Sequence, residues 1–123
     1  MKFTGSKGED IACQYLIKNG YKILEKNFKV SFGEIDLIVN KNNIICFVEV
    51  KTRNSLIYGL PEEAITEKKK SKIIKVAQYY IKNKHLYKYL FRFDVISIKL
   101  KNNNLENIKF IKNAFMYEKY KYI

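Results

Sequence analysis

The sequence predicts a single α/β domain in which a sheet of about five strands is flanked by helices. Its 123 residues fit one compact domain. Hydrophobic residues make up 47% and aromatic residues 15%, which is enough apolar material for a core. The apolar spacing alternates along the chain between the helical period and the strand period. We therefore expect one domain over 1–123, with residues 117–123 left unassigned.

The first predicted element is an amphipathic helix over Ser6–Asn19, with its first residue as a candidate N-cap and Gly20 as a C-terminal stop. Gly8 lies near the centre of the apolar face, where the lack of a side chain allows close approach to a sheet. Glu9 falls at the rim of that face and Asp10 points away from it. Of the two acids, only Glu9 is therefore expected near the sheet.

An antiparallel meander of three strands should follow this helix. The candidates are Tyr21–Val30, Glu34–Asn40 and Asn43–Lys51, separated by Ser31–Gly33 and by the turn-prone Asn40–Asn43.

The second half of the chain predicts a loop, a lysine-rich helix and two more strands. We expect a loop over Asn54–Pro61 with a short helical turn at Glu62–Ala64, a helix over Glu67–Lys84 capped by Thr66, a strand over Phe91–Leu100, a polar turn over Lys101–Asn104, and a short strand near Ile108–Ile111.

Charged residues interrupt strand segments that are otherwise suited to burial. Because side chains alternate across a strand, Glu49 and Lys51 share one face. If the loop between Val39 and Ile44 has an even number of residues, Asp36 stands on that same face; an odd loop or a bulge would reverse it. The even case is favoured, so three charged groups should converge.

Two neighbouring carboxylates repel each other unless a cation lies between them or one is protonated. A hard divalent ion such as Mg²⁺ or Mn²⁺ would remove that repulsion, could activate water and could stabilise charge at phosphorus. Lys51 would then orient the water or neutralise the phosphate. The alternative is a structural ion-pair network on an exposed sheet face.

The formal net charge of +12 favours a nucleic-acid partner, since lysines that neutralise phosphates release counterions. Candidate contacts are Lys68, Lys69 and Lys72 on the second helix, together with Arg53, whose planar guanidinium suits phosphate. Three alternatives stay open: a coding bias towards lysine, a solvated helix face, and a salt bridge made by Arg53.

Cys13 and Cys46 are isolated within apolar segments, which is typical of buried thiols in a reducing compartment. The longest uncharged apolar stretch, Ile44–Val48, is too short to cross a bilayer. We therefore expect a cytoplasmic protein that does not contact membranes.

Several short motifs occur in a fixed order over residues 5 to about 116. They are Gly8-Glu9-Asp10, GEIDLI at 33–38, FVEVKTR at 47–53, Tyr58-Gly59-x-Pro61-x-x-Ala64-Ile65, Arg92-Phe93-Asp94-Val95 and Asn113-Ala114-Phe115. In this order they resemble the UPF0102 family, also called YraN, which is similar to the Holliday-junction-resolvase-like branch of the PD-(D/E)xK nucleases. The resemblance implies a restriction-endonuclease-like core of three layers with a mixed sheet.

The resemblance also implies a nuclease site. Its catalytic residues would be Glu9, Asp36, Glu49 and Lys51, with Mg²⁺ or Mn²⁺ held by both strand acids and the carbonyl of Val50. The implied activity is an endonuclease on structured or branched DNA, and a homodimer would suit two symmetric cuts. One alternative is a nucleic-acid-binding protein that retains the fold without catalysis. Another is a structural or interaction protein whose charge reflects coding bias.

Overall fold

A computed structural model describes residues 3–54 and 65–115, with side chains from Lys7 onwards. The described elements are α1 (Phe3–Lys18), β1 (Lys22–Val30), β2 (Gly33–Lys41), β3 (Ile44–Asn54), α2 (Glu67–Lys84), β4 (Leu90–Lys101) and β5 (Asn104–Phe115). The strands form one sheet in the order β1-β2-β3-β4-β5.

The sheet is mixed. Strands β1, β2 and β3 pair antiparallel in a meander, β3 and β4 pair parallel, and β4 and β5 pair antiparallel. Parallel neighbours require a crossover connection, and α2 lies within the one that links β3 to β4. The predicted α/β class with a five-stranded mixed sheet is confirmed.

Two hairpins close through asparagine pairs. Asn42–Asn43 have φ of 50° and 67°, and Asn102–Asn103 have φ of 51° and 63°, the left-handed values that a two-residue type I′ turn requires. The first turn joins the paired residues Lys41 and Ile44, so the β2–β3 loop is even. The predicted facing of the charged residues on these strands therefore holds.

One helix covers each face of the sheet. On one face α2 contributes buried residues Ile73, Ile74, Val76, Ala77 and Tyr80 to a core with Phe47, Phe93 and Val95. On the other face α1 contributes Ala12, Cys13 and Leu16 to a core with Cys46, Val48, Ile96 and Ile98. The alternation of Cys46, Phe47 and Val48 between the two cores shows that β3 is buried on both sides.

Helix α1 approaches β3 closely at its N-terminal end. Gly8 is buried, and a Cβ atom added there would overlap Oγ1 of Thr52. The predicted role of this glycine is confirmed. Gly20 follows the helix with φ of 88°, as expected of a C-terminal stop. The helix begins at Phe3, however, so the prediction of Ser6 as N-cap is wrong.

Helix α2 has the predicted bounds, and Oγ1 of its N-cap Thr66 accepts a hydrogen bond from the backbone N of Lys69 at 3.1 Å. Strand β5 is longer than the predicted Ile108–Ile111. Its exposed residues lack apolar alternation, and pairing to β4 rather than local pattern sets its extent.

Three predicted segments lie outside the described residues: most of the loop over 54–61, the helical turn at 62–64, and the tail over 117–123. Within the parts of the chain that the structure describes, neither helix is long and apolar enough to cross a membrane.

Candidate functional site

Strands β2 and β3 separate beyond the end of their ladder. Their pairing runs from Lys41 and Ile44 to Leu37 and Val48. Past that point the start of β2 pairs with β1, and the end of β3 pairs with β4. We call the gap between 33–36 and 49–54 the fork.

Asp36 and Glu49 stand at the base of the fork. Extending the β2–β3 register by one step places these two residues opposite each other. The backbone N of Val50 donates a hydrogen bond of 2.8 Å to Oδ2 of Asp36. Glu49 is only 5% exposed and Asp36 is partly buried, so the structure brings two carboxylates together away from bulk water. The predicted convergence of these two acids is therefore seen in the geometry.

The electrostatics of Asp36 reflect this crowding. Burial raises its pKa to about 7, and the adjacent charge of Glu49 adds to that effect. The hydrogen bond from Val50 N acts in the opposite direction, because it favours the ionised carboxylate. At neutral pH Asp36 is thus poised between its protonated and its ionised form.

Two lysines converge on the same oxygen of Glu49. Lys51 Nζ lies 3.6 Å from Oε2 and Lys69 Nζ lies 2.5 Å from it. Burial lowers the pKa of Lys51, and the neighbouring charge of Lys69 lowers it further. Burial also opposes the charged form of Lys69, but the hydrogen bond and charge of Glu49 outweigh it and raise the pKa of Lys69. Lys69 therefore stays positively charged beside the carboxylate.

Sequence reasoning placed Lys69 with Lys68 and Lys72 as a candidate contact to nucleic acid, and missed its contact with Glu49. Lys68 and Lys72 are exposed, as a nucleic-acid-facing surface requires. The helical spacing could have indicated this contact. Lys69 lies one helical turn before the buried Ile73, on the side of α2 that packs on the sheet.

Glu9 approaches from the opposite face of the sheet. It is half-buried, next to the close contact between Gly8 and β3, and its charge adds a small upward effect on the pKa of Asp36. Across residues 3–54 and 65–115, no three or more His, Cys, Asp or Glu residues are close enough to hold a metal ion. The structure therefore gathers Asp36, Glu49 and Lys51, and leaves Glu9 further out.

The donor set at the fork fits a hard divalent cation in its chemistry. Asp36 and Glu49 supply carboxylate oxygens, and Mg²⁺ is usually held by one or two carboxylates together with water and substrate phosphate. Within the structure the backbone N of Val50 contacts Asp36, while the role of its carbonyl as a ligand stays a prediction.

Arg53 follows Glu49 and Lys51 on the same strand face and is half-buried. Its contact with phosphate stays a prediction. Arg92 pairs with Asp94 through two hydrogen bonds of 2.9 and 3.0 Å from Nε to the carboxylate. Both cysteines are buried, and burial raises the pKa of each thiol, that of Cys46 to about 12. Neither thiol is therefore set up as a nucleophile.

Comparison with known proteins identifies the family. The model of the uncharacterised protein family UPF0102 matches residues 8–98. A UPF0102 protein of Caldanaerobacter subterraneus subsp. tengcongensis is 53% identical over 116 residues, covering 93% of this chain and 95% of the relative. A UPF0102 protein of Clostridium botulinum strain Loch Maree is 52% identical over 116 residues, covering 93% of this chain and 94% of the relative. The chain therefore belongs to the UPF0102 family.

Proposed function

We propose that this protein is a metal-dependent endonuclease that hydrolyses phosphodiester bonds in structured or branched DNA. The observation that carries the proposal is the pair of carboxylates, buried Glu49 and partly buried Asp36, that face each other at the fork with two lysine ammonium groups beside Glu49. Such a pair is costly to maintain in a purely structural role. Raised carboxylate pKa values of this kind cluster at functional sites.

Each residue at the fork has a proposed role that follows from its chemistry. Asp36 and Glu49 would hold a Mg²⁺ or Mn²⁺ ion, which supplies activation of water and neutralisation of charge at phosphorus. Lys51 carries a lowered pKa, so it is suited to hydrogen-bond the attacking water or a phosphate oxygen and to exchange a proton there. The hydrogen bond from Val50 N fixes the orientation of the Asp36 carboxylate.

The choice of DNA as substrate rests on charge and on resemblance. The net charge of +12 favours a polyanion, and two exposed lysines of α2, Lys68 and Lys72, lie on either side of Lys69 in the sequence. Backbone contacts of this kind give affinity without reading sequence, which suits recognition by shape. The UPF0102 family, to which the motif order points, is similar to nucleases of the Holliday-junction-resolvase-like branch.

The test is cleavage of a four-way junction in Mg²⁺ or Mn²⁺ by wild type and by Glu49→Gln. The isosteric change removes a charge from the site, so we expect junction cleavage to fall by about 100-fold or more. Glu106→Gln is the matched control, because Glu106 pairs with Lys99 on the exposed β4–β5 hairpin, and it should cleave like wild type. Metal-dependent cleavage that survives Glu49→Gln intact would refute the assignment.

A second candidate is a nucleic-acid-binding protein without catalytic activity. It is favoured by one observation: Lys69 already neutralises Glu49, and no third acid joins the pair among the residues that the structure describes. Binding to the junction that persists in EDTA and is unchanged by Asp36→Ala, with no cleavage in either metal, would select this candidate.

A further inference from the structure

Lys69 occupies the position of a cation at the carboxylate pair. Its ammonium group is the nearest positive charge to Oε2 of Glu49, and Lys51 contacts the same oxygen from further away. With both acids ionised, two negative charges face two positive ones, and the centre is neutral. A divalent ion added to this centre would lie beside two ammonium groups and be repelled by both.

The two lysines differ in how easily they can leave. Lys51 projects from β3, in the middle of the sheet, and its side chain is 22% exposed. Lys69 projects from the first turn of α2, and its side chain is 45% exposed. The side chain of Lys69 is the more exposed of the two, so its ammonium group can withdraw from Glu49 without disturbing the sheet.

The backbone of Lys69 is fixed by the helix cap, whereas its exposed side chain is held at Glu49 by an ion pair. Thr66 Oγ1 accepts a hydrogen bond from the backbone N of Lys69, which fixes the first helical turn. Movement of the ammonium group therefore requires only side-chain rotation. Exposed Lys68 and Lys72 lie on the same stretch of helix, so a phosphate backbone bound there would attract the released ammonium of Lys69.

We propose that Lys69 is an exchangeable counter-ion, which holds the metal position at Asp36 and Glu49 until a nucleic-acid phosphate draws it away. This proposal rests on the proposed nuclease function and adds a coupling to it. Because binding free energies are linked reciprocally, nucleic acid should tighten metal binding, and metal should tighten nucleic-acid binding by the same factor. Lys69 is thus a positioning residue that confines metal loading to the DNA complex.

The experiment is calorimetric titration of Mn²⁺ into wild type, Lys69→Met and Lys68→Met, each with and without a saturating four-way junction. Phosphorothioate linkages at the branch block cleavage, and pH 8 keeps the carboxylates ionised. Lys68→Met is the matched control, since it removes the same charge from the neighbouring exposed residue. Thermal unfolding of all three proteins checks that they are folded, and Lys69→Ala serves as a second variant.

In wild type and in Lys68→Met, we expect the junction to tighten Mn²⁺ binding by roughly tenfold or more. In Lys69→Met, Mn²⁺ should bind more tightly than in wild type without DNA, and the junction should add little. Equal Mn²⁺ affinity of wild type and Lys69→Met in the absence of the junction would overturn the counter-ion role alone. Failure of every protein to bind Mn²⁺, even with the junction present, would overturn the proposed function as well.

Discussion

Two centres of the molecule hold a buried carboxylate, that of Asp94 and that of Glu49, and the two centres neutralise it in different ways. At the first, Asp94 on β4 is fully buried and accepts hydrogen bonds from both the Arg92 side chain and the backbone N of Asn113 at 2.9 Å. The Arg92 guanidinium is itself fixed, because it donates to Tyr21 at 2.9 Å and lies over the ring of Phe110 at 5.9 Å. One negative charge meets one planar, immobile positive charge.

At the second centre, Asp36 and Glu49 are two acids whose counter-charges are the flexible side chains of Lys51 and Lys69. The hydrogen bond from Val50 N to Asp36 is the fixed element there. A guanidinium satisfies a carboxylate geometrically, whereas an ammonium neutralises it as a point charge that can be exchanged. The comparison indicates that the Asp94 centre stabilises the fold, and it supports the proposal that the counter-charge at the fork is exchangeable.

The largest effect should come from breaking the Asp94 centre. Asp94→Ala leaves Arg92 buried without its counter-charge and Asn113 N without its acceptor, so we expect the free energy of unfolding to fall by about 3–5 kcal/mol. Urea denaturation measures this. Glu106→Ala, which breaks an exposed pair with Lys99, should cost less than about 1 kcal/mol. A similar loss in both variants would contradict the comparison.

The next effect concerns the close contact of α1 with β3 at the fork, which has no counterpart at the Asp94 centre. Gly8→Ala places a methyl group against Thr52 Oγ1, and we expect a loss of about 1–3 kcal/mol in urea denaturation. Thr52→Ala removes the overlapping oxygen, so Gly8→Ala should cost much less in that background. An equal cost in both backgrounds would show that the contact is not the cause.

Removing a charge from the fork should increase the free energy of unfolding, whereas removing the charge of Asp94 should decrease it. Asp36→Asn relieves the repulsion with Glu49 and keeps an oxygen for Val50 N, so we expect about 1–2 kcal/mol of added stability at pH 8 without metal. Chemical denaturation in EDTA measures it. A loss of stability would mean that the fork acids hold the fold together as Asp94 does.

Asp36→Asn should also remove part of the pH dependence of the protein's stability. The pKa of Asp36 is raised from 3.8 to about 7 on folding, so the folded state binds a proton that the unfolded chain has released. The stability contributed by this proton is complete below pH 3.8 and is lost as the pH rises to about 7. Between those limits wild type should lose stability relative to Asp36→Asn, and parallel curves for the two proteins would argue against the raised pKa.

The smallest effect should come from loosening the turn that presents Lys69. Thr66→Ala removes the N-cap of α2, and we expect a loss of about 1 kcal/mol in thermal or urea unfolding. Thr66→Ser keeps the hydroxyl group and should remain close to wild type. If Thr66→Ser and Thr66→Ala lower the free energy of unfolding equally, the cap contributes little and Lys69 is held by other contacts.

Local patterns predicted much of the fold and part of the site. The bounds of α2 followed from Thr66 and from the helical spacing of Ile73, Ile74 and Ala77, and the facing of Asp36 and Glu49 followed from strand parity once the loop was even. These features depend on neighbours within a few residues. The sequence alone therefore constrains them strongly.

The features that were missed depend on contacts between distant segments. The partner of Lys69 is set by the register of α2 on the sheet, which no local period specifies. The length of β5 is set by pairing to β4, since residues 104–107 are exposed and carry no apolar alternation. The start of α1 at Phe3 likewise precedes the apolar face from which its beginning was inferred.

The parallel pairing of β3 with β4 has a consequence for the order of folding. The β2–β3 hairpin is local and can form early, whereas α2 contacts the sheet through residues that are farther apart in the chain. We expect the two acids to meet before Lys69 arrives, and stopped-flow refolding should show a slow phase that Lys69→Met slows and Lys68→Met does not. Equal rates in the two variants would refute this order. In the expected order, the negative charge of the Asp36 and Glu49 hairpin attracts the lysines of α2 before the helix packs on the sheet.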